Sequence, residues 1–291
     1  MPPCREPRLR PSRHGPRHGV SRPRPARHGR PPRPARRALR PRRTSVKDGA
    51  VVSAVLAGAS GTRHAFLTAR HAVRRDGGEP VFTDAASLDR LMGGRLHLLV
   101  TPRQVHSASV LVVDDASDAG RAALSGAEAD AVVTALPGVP VGVLTADCLP
   151  LLLYDRTKRV VAAVHAGWRG VAKGVVAAAL ATMEEVFSSR PSSILAALGP
   201  AIGPCCFEVG SDVAAAFGEA GLGPRFFSPA GRSGRFMCDL AGAVSDRLAG
   251  AGVSGGAISV ERRCTCCGRD FFSHRRDGAA MRQLSFIMID P

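Results

Sequence analysis

The sequence has no apolar run that approaches the ~18 residues needed to span a lipid bilayer. Its N-terminus also lacks the continuous apolar core of a secretory signal peptide. These two absences argue against a membrane-embedded helix and against secretion. We therefore expect a soluble, cytoplasmic protein with no membrane partner.

The seven cysteines of residues 50–291 lack the even number and regular spacing of a disulfide framework. Of the eight in the chain, Cys4 lies near the N-terminus, and the other seven include the adjacent pairs Cys205/Cys206 and Cys266/Cys267. Such a set is poorly suited to a small secreted domain held together by disulfides. It fits a reducing compartment better.

Acidic and aromatic residues are scarce in residues 1–49, which carry 16 of the 40 Lys and Arg and 11 of the 22 prolines. Glu6 and Asp48 are its only acids. Because like charges repel and proline removes helix donors, we expect a disordered tail. The lack of aromatic residues disfavours a nucleic-acid-binding arm, and the few serines disfavour a transit peptide. A misplaced start or a functionless tail is the interpretation that we prefer.

Residues 50–291 differ sharply from this segment, since their 24 basic and 22 acidic residues nearly balance. The sequence pI of about 11.0 therefore belongs to the tail and does not indicate a basic surface on the domain. A chain of ~240 residues buries roughly 70% or more of its unfolded surface, enough for one core without disulfides. We expect a single catalytic domain over residues 50–291.

Short apolar runs alternate with Ala-rich stretches along this domain. The runs predict strands at 51–56, 96–100, 110–113, 141–144, 151–154, 160–164, 194–198 and 257–260. Apolar spacing predicts a helix over 171–187, and Asp239 is a predicted N-cap for another. Because two of the strands are joined by a short polar turn, the fold class that we predict is α+β with mixed sheets.

The short polar turn belongs to a predicted β-hairpin over residues 141–165. A turn centred on Arg156 and Thr157 would pair residues whose numbers sum to 313, and Cys148 and His165 have that sum. Directly opposed side chains on one face lie about 5 Å apart at Cβ. The two residues would then be close enough to hold a metal ion or to form a Cys/His pair.

The strand that ends at His165 is followed by a glycine-flanked loop and an Ala-rich helix. Gly167 and Gly170 let the backbone approach a ligand, and Arg169 adds a forked cation, so the loop is a candidate phosphate site. A plain strand-to-helix connection with Trp168 as a packing residue is the alternative. His106 is a third candidate ligand, although spacing alone does not bring it to the other two.

An ordered series of motifs resembles the signature of the YfiH, or laccase-domain, family. The motifs include Gln-Val-His at 104–106, Ala-Asp-Cys-Leu-Pro at 146–150 and His-Ala-Gly-Trp-Arg-Gly at 165–170. Others lie at 130–134, 198–210, 238–240, 264–265 and 272–278. Before residue 100 only Ala65–Arg70 resembles a family strand, and the usual Gly-Gly-Val-Ser and Ser-Leu-Asn-Leu-Gly segment is not recognisable. Part of the substrate pocket is therefore expected to differ.

The resemblance implies a four-layer α/β/β/α fold and a metal ion held by His106, Cys148 and His165. It also implies phosphorolysis of adenosine, inosine, guanosine and methylthioadenosine, together with deamination of adenosine, with purine nucleosides and phosphate as partners. Two nitrogens and one thiolate suit a single zinc ion per chain better than copper. Zinc would activate water for deamination and, with Arg169, hold phosphate. Asp147 is a candidate acid for the departing purine or a cap of its turn.

Three other hypotheses stay open. Cys148 activated by His165 would make a cysteine hydrolase, although His106 then has no direct role. A copper-dependent polyphenol oxidase needs more histidines than the six in residues 50–291. A non-enzymatic protein could hold nucleic acid with its basic tail. Because adjacent cysteines seldom both ligate one tetrahedral ion, we expect those at 205, 206, 264, 266 and 267 to be packing or wall positions.

Overall fold

The computed structural model describes residues 45–47, 49–74, 80–117, 120, 124, 126–278 and 280–291. The segment that we expect to be disordered lies outside these residues, apart from 45–47 and 49. Strand β1 (Ser45–Lys47) pairs with β2 (Ala50–Val52). In the described residues, strand pairing therefore begins at Ser45, a few residues before the domain boundary expected at residue 50.

The strands that follow in the described residues are short. They are β3 (Thr62–Leu67), β4 (Ala72–Arg74), β5 (Val81–Phe82), β6 (Val110–Val113), β7 (Ala131–Thr134), β8 (Val141–Thr145), β9 (Leu149–Asp155), β10 (Val160–Ala166), β11 (Ile194–Leu198), β12 (Glu208–Gly210), β13 (Phe227–Pro229), β14 (Arg235–Cys238), β15 (Ile258–Val260) and β16 (Arg282–Ile289).

The described α-helices are α1 (Ala54–Ala57), α2 (Ala85–Leu91), α3 (Trp168–Lys173), α4 (Val175–Phe187), α5 (Ser211–Glu219), α6 (Leu240–Gly250) and α7 (His274–Asp277). Short 3₁₀ turns occur at Leu96–Leu98, Pro191–Ser193, Pro224–Phe226 and Gly255–Ala257. Within the part of the chain that the structure describes, no helix is long and apolar enough to cross a membrane.

The strands form three sheets. The largest has the order β1-β2-β3-β16-β4-β5, with β8 also paired to β16. The second has the order β15-β11-β9-β10-β7-β6, and the third the order β12-β14-β13. The pairs β6/β7 and β11/β15 are parallel, whereas β9, β10 and β11 run antiparallel to their neighbours in the centre. The predicted α+β class with mixed sheets is confirmed.

Three apolar clusters join the sheets to one another and to the helices. One lies between the two large sheets and includes Val143 and Ile287 on one side and Leu152 on the other. A second packs the opposite face of the six-stranded sheet against α4 and α6, and a third packs α2 against the seven-stranded sheet. Strands β9 and β10 are buried along their whole length, which explains their nearly continuous apolar sequences.

Two predicted strands are wrong in part. The strand predicted over 51–56 stops at Val52, and α1 begins at Ala54. The segment 96–100 forms a 3₁₀ turn, with only an isolated bridge from Val100 to Val141. A short apolar run does not distinguish a strand from a buried helical turn, and that ambiguity accounts for both errors.

The helix predicted over 171–187 is two helices, α3 and α4, which meet at Gly174. This residue has φ +90°, a left-handed conformation that ends one helix before the next begins. The predicted N-cap is confirmed, since the Asp239 carboxylate accepts a hydrogen bond from the Gly242 N–H at 2.8 Å. The break at Gly174 and the cap at Asp239 set where α4 and α6 begin. Both helices pack against the six-stranded sheet.

The β9/β10 hairpin is present, but its register differs from the predicted one. His165 pairs with Pro150, so paired residue numbers sum to 315 instead of 313. The Asp155 carboxylate accepts hydrogen bonds from the N–H groups of Thr157 and Lys158, which moves the turn one residue along the chain. Because side chains alternate with a period of two, the shift leaves Cys148 on the same face as His165.

The close approach of Gly199 to Phe66 gives a test of the packing between the large sheets. A Cβ atom at residue 199 would lie 2.3 Å from Phe66 Cδ1 and 2.8 Å from Pro150 Cγ. We expect Gly199→Ala to lower the free energy of unfolding by roughly 1–3 kcal/mol, the usual cost of overpacking. Urea denaturation followed by circular dichroism measures this change.

The matched control is Gly218→Ala in α5, where no atom outside the surrounding backbone of the helix lies within 4 Å of the added Cβ. Alanine favours the helix there, so this variant should be as stable as the parent or slightly more stable, by up to about 1 kcal/mol. Equal stability of the two variants would contradict the packing described between the sheets.

Candidate functional site

Three predicted ligands converge at the end of the β9/β10 hairpin. His165 lies near the end of β10, Cys148 immediately precedes β9, and His106 lies in the loop before β6. Their ligand atoms all lie within 4.8 Å of one another. Cys148 Sγ is 3.8 Å from His106 Nε2, and the two imidazole rings meet edge to face with centroids 4.9 Å apart. The structure thus brings together the three residues that the family resemblance assigns to one metal site.

The buried carboxylate of Asp130 holds both histidines. Its Oδ1 lies 2.7 Å from His165 Nδ1 and accepts a hydrogen bond from the His106 N–H at 3.0 Å. Its Oδ2 accepts hydrogen bonds from the N–H groups of Val105 and Ser107 and from the Ser107 hydroxyl. A carboxylate on Nδ1 leaves Nε2 of His165 available as a metal ligand. Asp130 is therefore the residue that organises the site.

Sequence reasoning placed Asp130 in a motif but gave it no role. A detectable signal was present, because this acidic residue directly precedes Ala131–Thr134, a short, wholly apolar stretch apart from its last threonine. Acidic residues are almost never fully buried unless they are paired, and Asp130 is 0% exposed. A charged residue at the edge of a buried strand is therefore a candidate for orienting ligands.

The backbone of His106 adopts an unusual conformation that Asp130 supports. His106 has φ +58°, in the left-handed region that non-glycine residues rarely enter. Such a conformation costs about 1–3 kcal/mol, which the hydrogen bonds from consecutive N–H groups to Asp130 help to offset. Lys173 Nζ also donates a hydrogen bond to the His106 carbonyl at 3.1 Å. This strain is consistent with a residue that must present its ring at one position.

Electrostatics favour a thiolate and an imidazolium in this site when no metal is bound. Burial opposes ionisation of Cys148, but the positive charge of His165 and the contact with His106 outweigh it and lower the pKa of the thiol to about 6. Burial likewise opposes protonation of His165, but Cys148 and Asp130 raise its pKa to about 9. Hydrogen bonds from His165 and Ser107 overcome burial and lower the pKa of Asp130.

The donor set and the space beside it fit a metal ion. Two imidazole nitrogens and one thiolate are typical ligands for a borderline-soft cation, and three protein ligands leave a coordination position open. Gly167 maintains the room for it, since a Cβ atom there would lie 2.9 Å from His106 Cδ2 and 3.0 Å from Cys148 Sγ. The residues of this chain can therefore hold one ion at the triad.

Asp147, the candidate acid, uses both carboxylate oxygens to fix its turn. Oδ1 accepts a hydrogen bond from the Thr265 hydroxyl at 2.6 Å, and Oδ2 accepts one from the Arg275 N–H at 2.7 Å. Asp147 also has φ +89°, and its carbonyl accepts a hydrogen bond from the Ile202 N–H. This arrangement favours the capping alternative, in which Asp147 sets the position of the adjacent Cys148.

The predicted phosphate loop borders the triad, but its arginine points to a neighbouring ring. The Arg169 guanidinium lies 4.5 Å from the centroid of Trp168, and the Arg169 residue is exposed. Gly167 is the N-cap of α3, and a Cβ atom on Gly170 would lie 3.2 Å from the Ser107 carbonyl. The two glycines thus adjoin the loops that carry the ligands, whereas Arg169 would have to leave Trp168 to reach an anion there.

The structure describes only part of the segment before residue 100, where the sequence departs from the family pattern. Residues 65–67 lie in β3, which pairs with β16 next to β8. They therefore form a strand, as their resemblance to a family strand implied. Residues 75–79 lie outside the described part of the chain.

Comparisons with known proteins agree with this architecture. A family model described as multi-copper polyphenol oxidoreductase laccase matches residues 49–290. "Purine nucleoside phosphorylase YfiH" of Escherichia coli (strain K12) is 39% identical over 189 residues, 64% of this chain and 72% of the relative. "Adenosine deaminase RL5" from an unknown prokaryotic organism is 39% identical over 198 residues, 64% of this chain and 73% of the relative.

A solved structure supports the fold. The crystal structure of YlmD from Geobacillus stearothermophilus superposes with a TM-score of 0.74 at 26% sequence identity. The match covers 85% of this chain and 99% of YlmD. The mixed sheets and helices described above are thus shared with YlmD over nearly its whole length.

The ionised Cys148 gives a testable pH dependence. In metal-free protein we expect alkylation of Cys148 by iodoacetamide to rise with pH around a midpoint of about 6 and then to level off, since the thiolate is the nucleophile. Mass spectrometry of the peptide that contains Cys148 follows the reaction. Cys238 is an internal control, because burial and the nearby Asp239 raise its pKa to about 12 and it should stay unmodified at pH 7.

A midpoint for Cys148 near 8.5, the usual thiol value, would contradict the thiolate-imidazolium pair. The variant Asp130→Asn sharpens the comparison, because it removes the negative charge that favours the His165 cation. Its Cys148 midpoint should move upward from that of the parent.

Proposed function

Because this chain belongs to the multi-copper polyphenol oxidoreductase laccase family, we propose that it is a zinc-dependent purine nucleoside phosphorylase that also deaminates adenosine. The resemblance to YfiH proteins inferred from the motifs is confirmed by the family match and by the YfiH relative. The names of the relatives support an enzyme of this kind. The metal and the individual substrates are our own proposal.

The observation that carries the proposal is the ligand triad held by one buried carboxylate. His106, Cys148 and His165 would bind the ion, and Asp130 would keep the Nε2 atom of His165 available to it. When bound, zinc supplies a Lewis acid and lowers the pKa of coordinated water toward neutrality. The chain's own contribution is to fix the three donors before the ion or the substrate arrives.

Phosphorolysis and deamination would both use the triad and the loop beside it, in different ways. In phosphorolysis, phosphate replaces the purine on the ribose carbon, and the purine leaves with a proton. The backbone at Gly167 and Gly170, with Arg169 after its release from Trp168, would orient the phosphate. In deamination, water replaces the amino group of adenosine, so that inosine and ammonia form. The proposed substrates are adenosine, inosine, guanosine and methylthioadenosine.

A second candidate function also has an observation in its favour. The low pKa of Cys148 and the adjacent His165 are the features of an activated cysteine nucleophile. This hypothesis assigns no direct role to His106, although His106 touches the same thiol and shares Asp130 with His165. The copper oxidase hypothesis has less support, because the triad has ligands for one ion and the domain has few further histidines.

Single substitutions in the triad separate the zinc enzyme from the cysteine hydrolase. We expect His106→Ala to lower zinc content and activity together, by at least about 100-fold in activity, since losing a partner that only orients a ligand already costs 10–100-fold. Cys148→Ser and His165→Ala should behave alike. Metal analysis and chromatography of products from adenosine give both readouts, with free adenine requiring phosphate and inosine forming without it.

The matched control is His97→Ala, at an exposed histidine in the 3₁₀ turn Leu96–Leu98. This variant should keep its zinc and its activity. A His106→Ala protein that is poor in metal yet active would defeat the zinc mechanism and favour the nucleophile. Loss of activity in all three triad variants with zinc retained would also contradict it.

A further inference from the structure

A second group of metal-binding side chains lies outside the triad. The sulfur atoms of Cys205, Cys206, Cys264 and Cys267 all lie within 4.8 Å of one another. They come from two loops, one before β12 and one after β15. The sequence predicts packing or wall positions for these cysteines, but the structure gathers the four into one cluster.

Three of the four cysteines carry free thiols, and the fourth belongs to a disulfide. Cys205, Cys206 and Cys264 are free cysteines, whereas Cys267 is disulfide-bonded. The sulfur of Cys267 lies 3.3 Å from that of Cys205 and 3.2 Å from that of Cys206. Cys267 therefore marks one side of the cluster, and the three free thiols form the candidate ligand set.

The exposure of the free thiols distinguishes them from cysteines that only fill a core. Cys205 is exposed, and Cys206 and Cys264 are half-buried. Cys238, which packs in the main apolar cluster, is 0% exposed. A cysteine that acts only as a small apolar residue is typically buried like Cys238. The three clustered thiols are instead partly open to solvent, so that an ion can reach them.

A backbone N–H group beside Cys264 is placed as it is beside a ligating thiolate. The Gly203 N–H donates a hydrogen bond to Cys264 Sγ at 3.2 Å. Such a donor stabilises a thiolate and orients a metal ligand. A Cβ atom on Gly203 would lie 3.3 Å from Cys205 Sγ and 3.6 Å from Cys264 Sγ. The missing side chain at Gly203 thus keeps open the space between two of the sulfurs.

Two arginines fix the loops that carry the cluster. Arg275 donates hydrogen bonds to the carbonyls of Cys206 and Glu208 at 3.1–3.2 Å. Arg276 donates to the carbonyls of Thr265 at 2.8 Å and of Cys266 at 3.3 Å. The sulfurs are therefore held close together before an ion binds. Thiolates so close repel one another, and a bound cation removes this repulsion.

We propose that Cys205, Cys206 and Cys264 bind a second metal ion, a soft thiophilic cation, at a site separate from the triad. Three sulfur donors without an imidazole suit Cu(I), which is one of the soft ions that thiolates select. The site does not depend on the nucleoside activity, and its ion does not take part in the proposed chemistry.

The test uses the full chain with the triad disabled by His106→Ala and Cys148→Ser, so that the proposed zinc site does not contribute. Cu(I) is titrated anaerobically against a chromophoric Cu(I) chelator, and bound copper is counted by elemental analysis. We expect one Cu(I) per chain. Adding Cys205→Ser, Cys206→Ser or Cys264→Ser should each weaken binding at least tenfold, whereas Cys266→Ser, the matched control, and Cys267→Ser should retain it.

A footprint on the unsubstituted chain keeps the proposal testable if a variant fails to fold. Cu(I) should protect Cys205, Cys206 and Cys264 from alkylation, as measured by mass spectrometry, and should leave Cys266 reactive. Absence of Cu(I) binding in the triad-disabled chain would overturn the proposal. Binding that is unaffected by all three serine substitutions, or that disappears in Cys267→Ser, would overturn the ligand set proposed here.

Discussion

The site depends on one buried carboxylate. Asp130 lies 2.7 Å from Nδ1 of His165 and accepts hydrogen bonds from the strained loop of His106, so it aligns both imidazoles at once. A carboxylate without exposure to water is stable only because hydrogen-bond donors surround it. The loop before β6 and the end of β10 supply those donors, and the same contacts give the histidines their positions. Fold and site are therefore coupled through a single side chain.

Much of the central architecture follows from the sequence, because its strands are short, nearly continuous apolar runs. The predicted strands at 110–113 and 194–198 coincide with β6 and β11, and the predicted hairpin is β9/β10. The hairpin register was wrong by two positions, since the side chain of Asp155 sets the turn. The period of two residues explains why the association of Cys148 with His165 survived this error.

Other features could not be predicted because they join segments far apart in sequence. The hydrogen bonds from Thr265 and Arg275 to Asp147 span more than a hundred residues, and no local pattern announces them. The cysteine cluster likewise requires two loops about 60 residues apart, and the adjacent cysteines suggested packing when considered locally. His106 joined the triad only through family resemblance, since its position depends on the buried contact with Asp130.

The central claim is that zinc is held by two histidines and one cysteine, and zinc-edge X-ray absorption of the purified protein tests it most directly. The account predicts one sulfur at about 2.3 Å and nitrogen or oxygen neighbours at about 2.0–2.2 Å around each zinc ion. A shell of three or more sulfurs would place the ion in the cysteine cluster instead. Either that result or an active protein without zinc would contradict the claim.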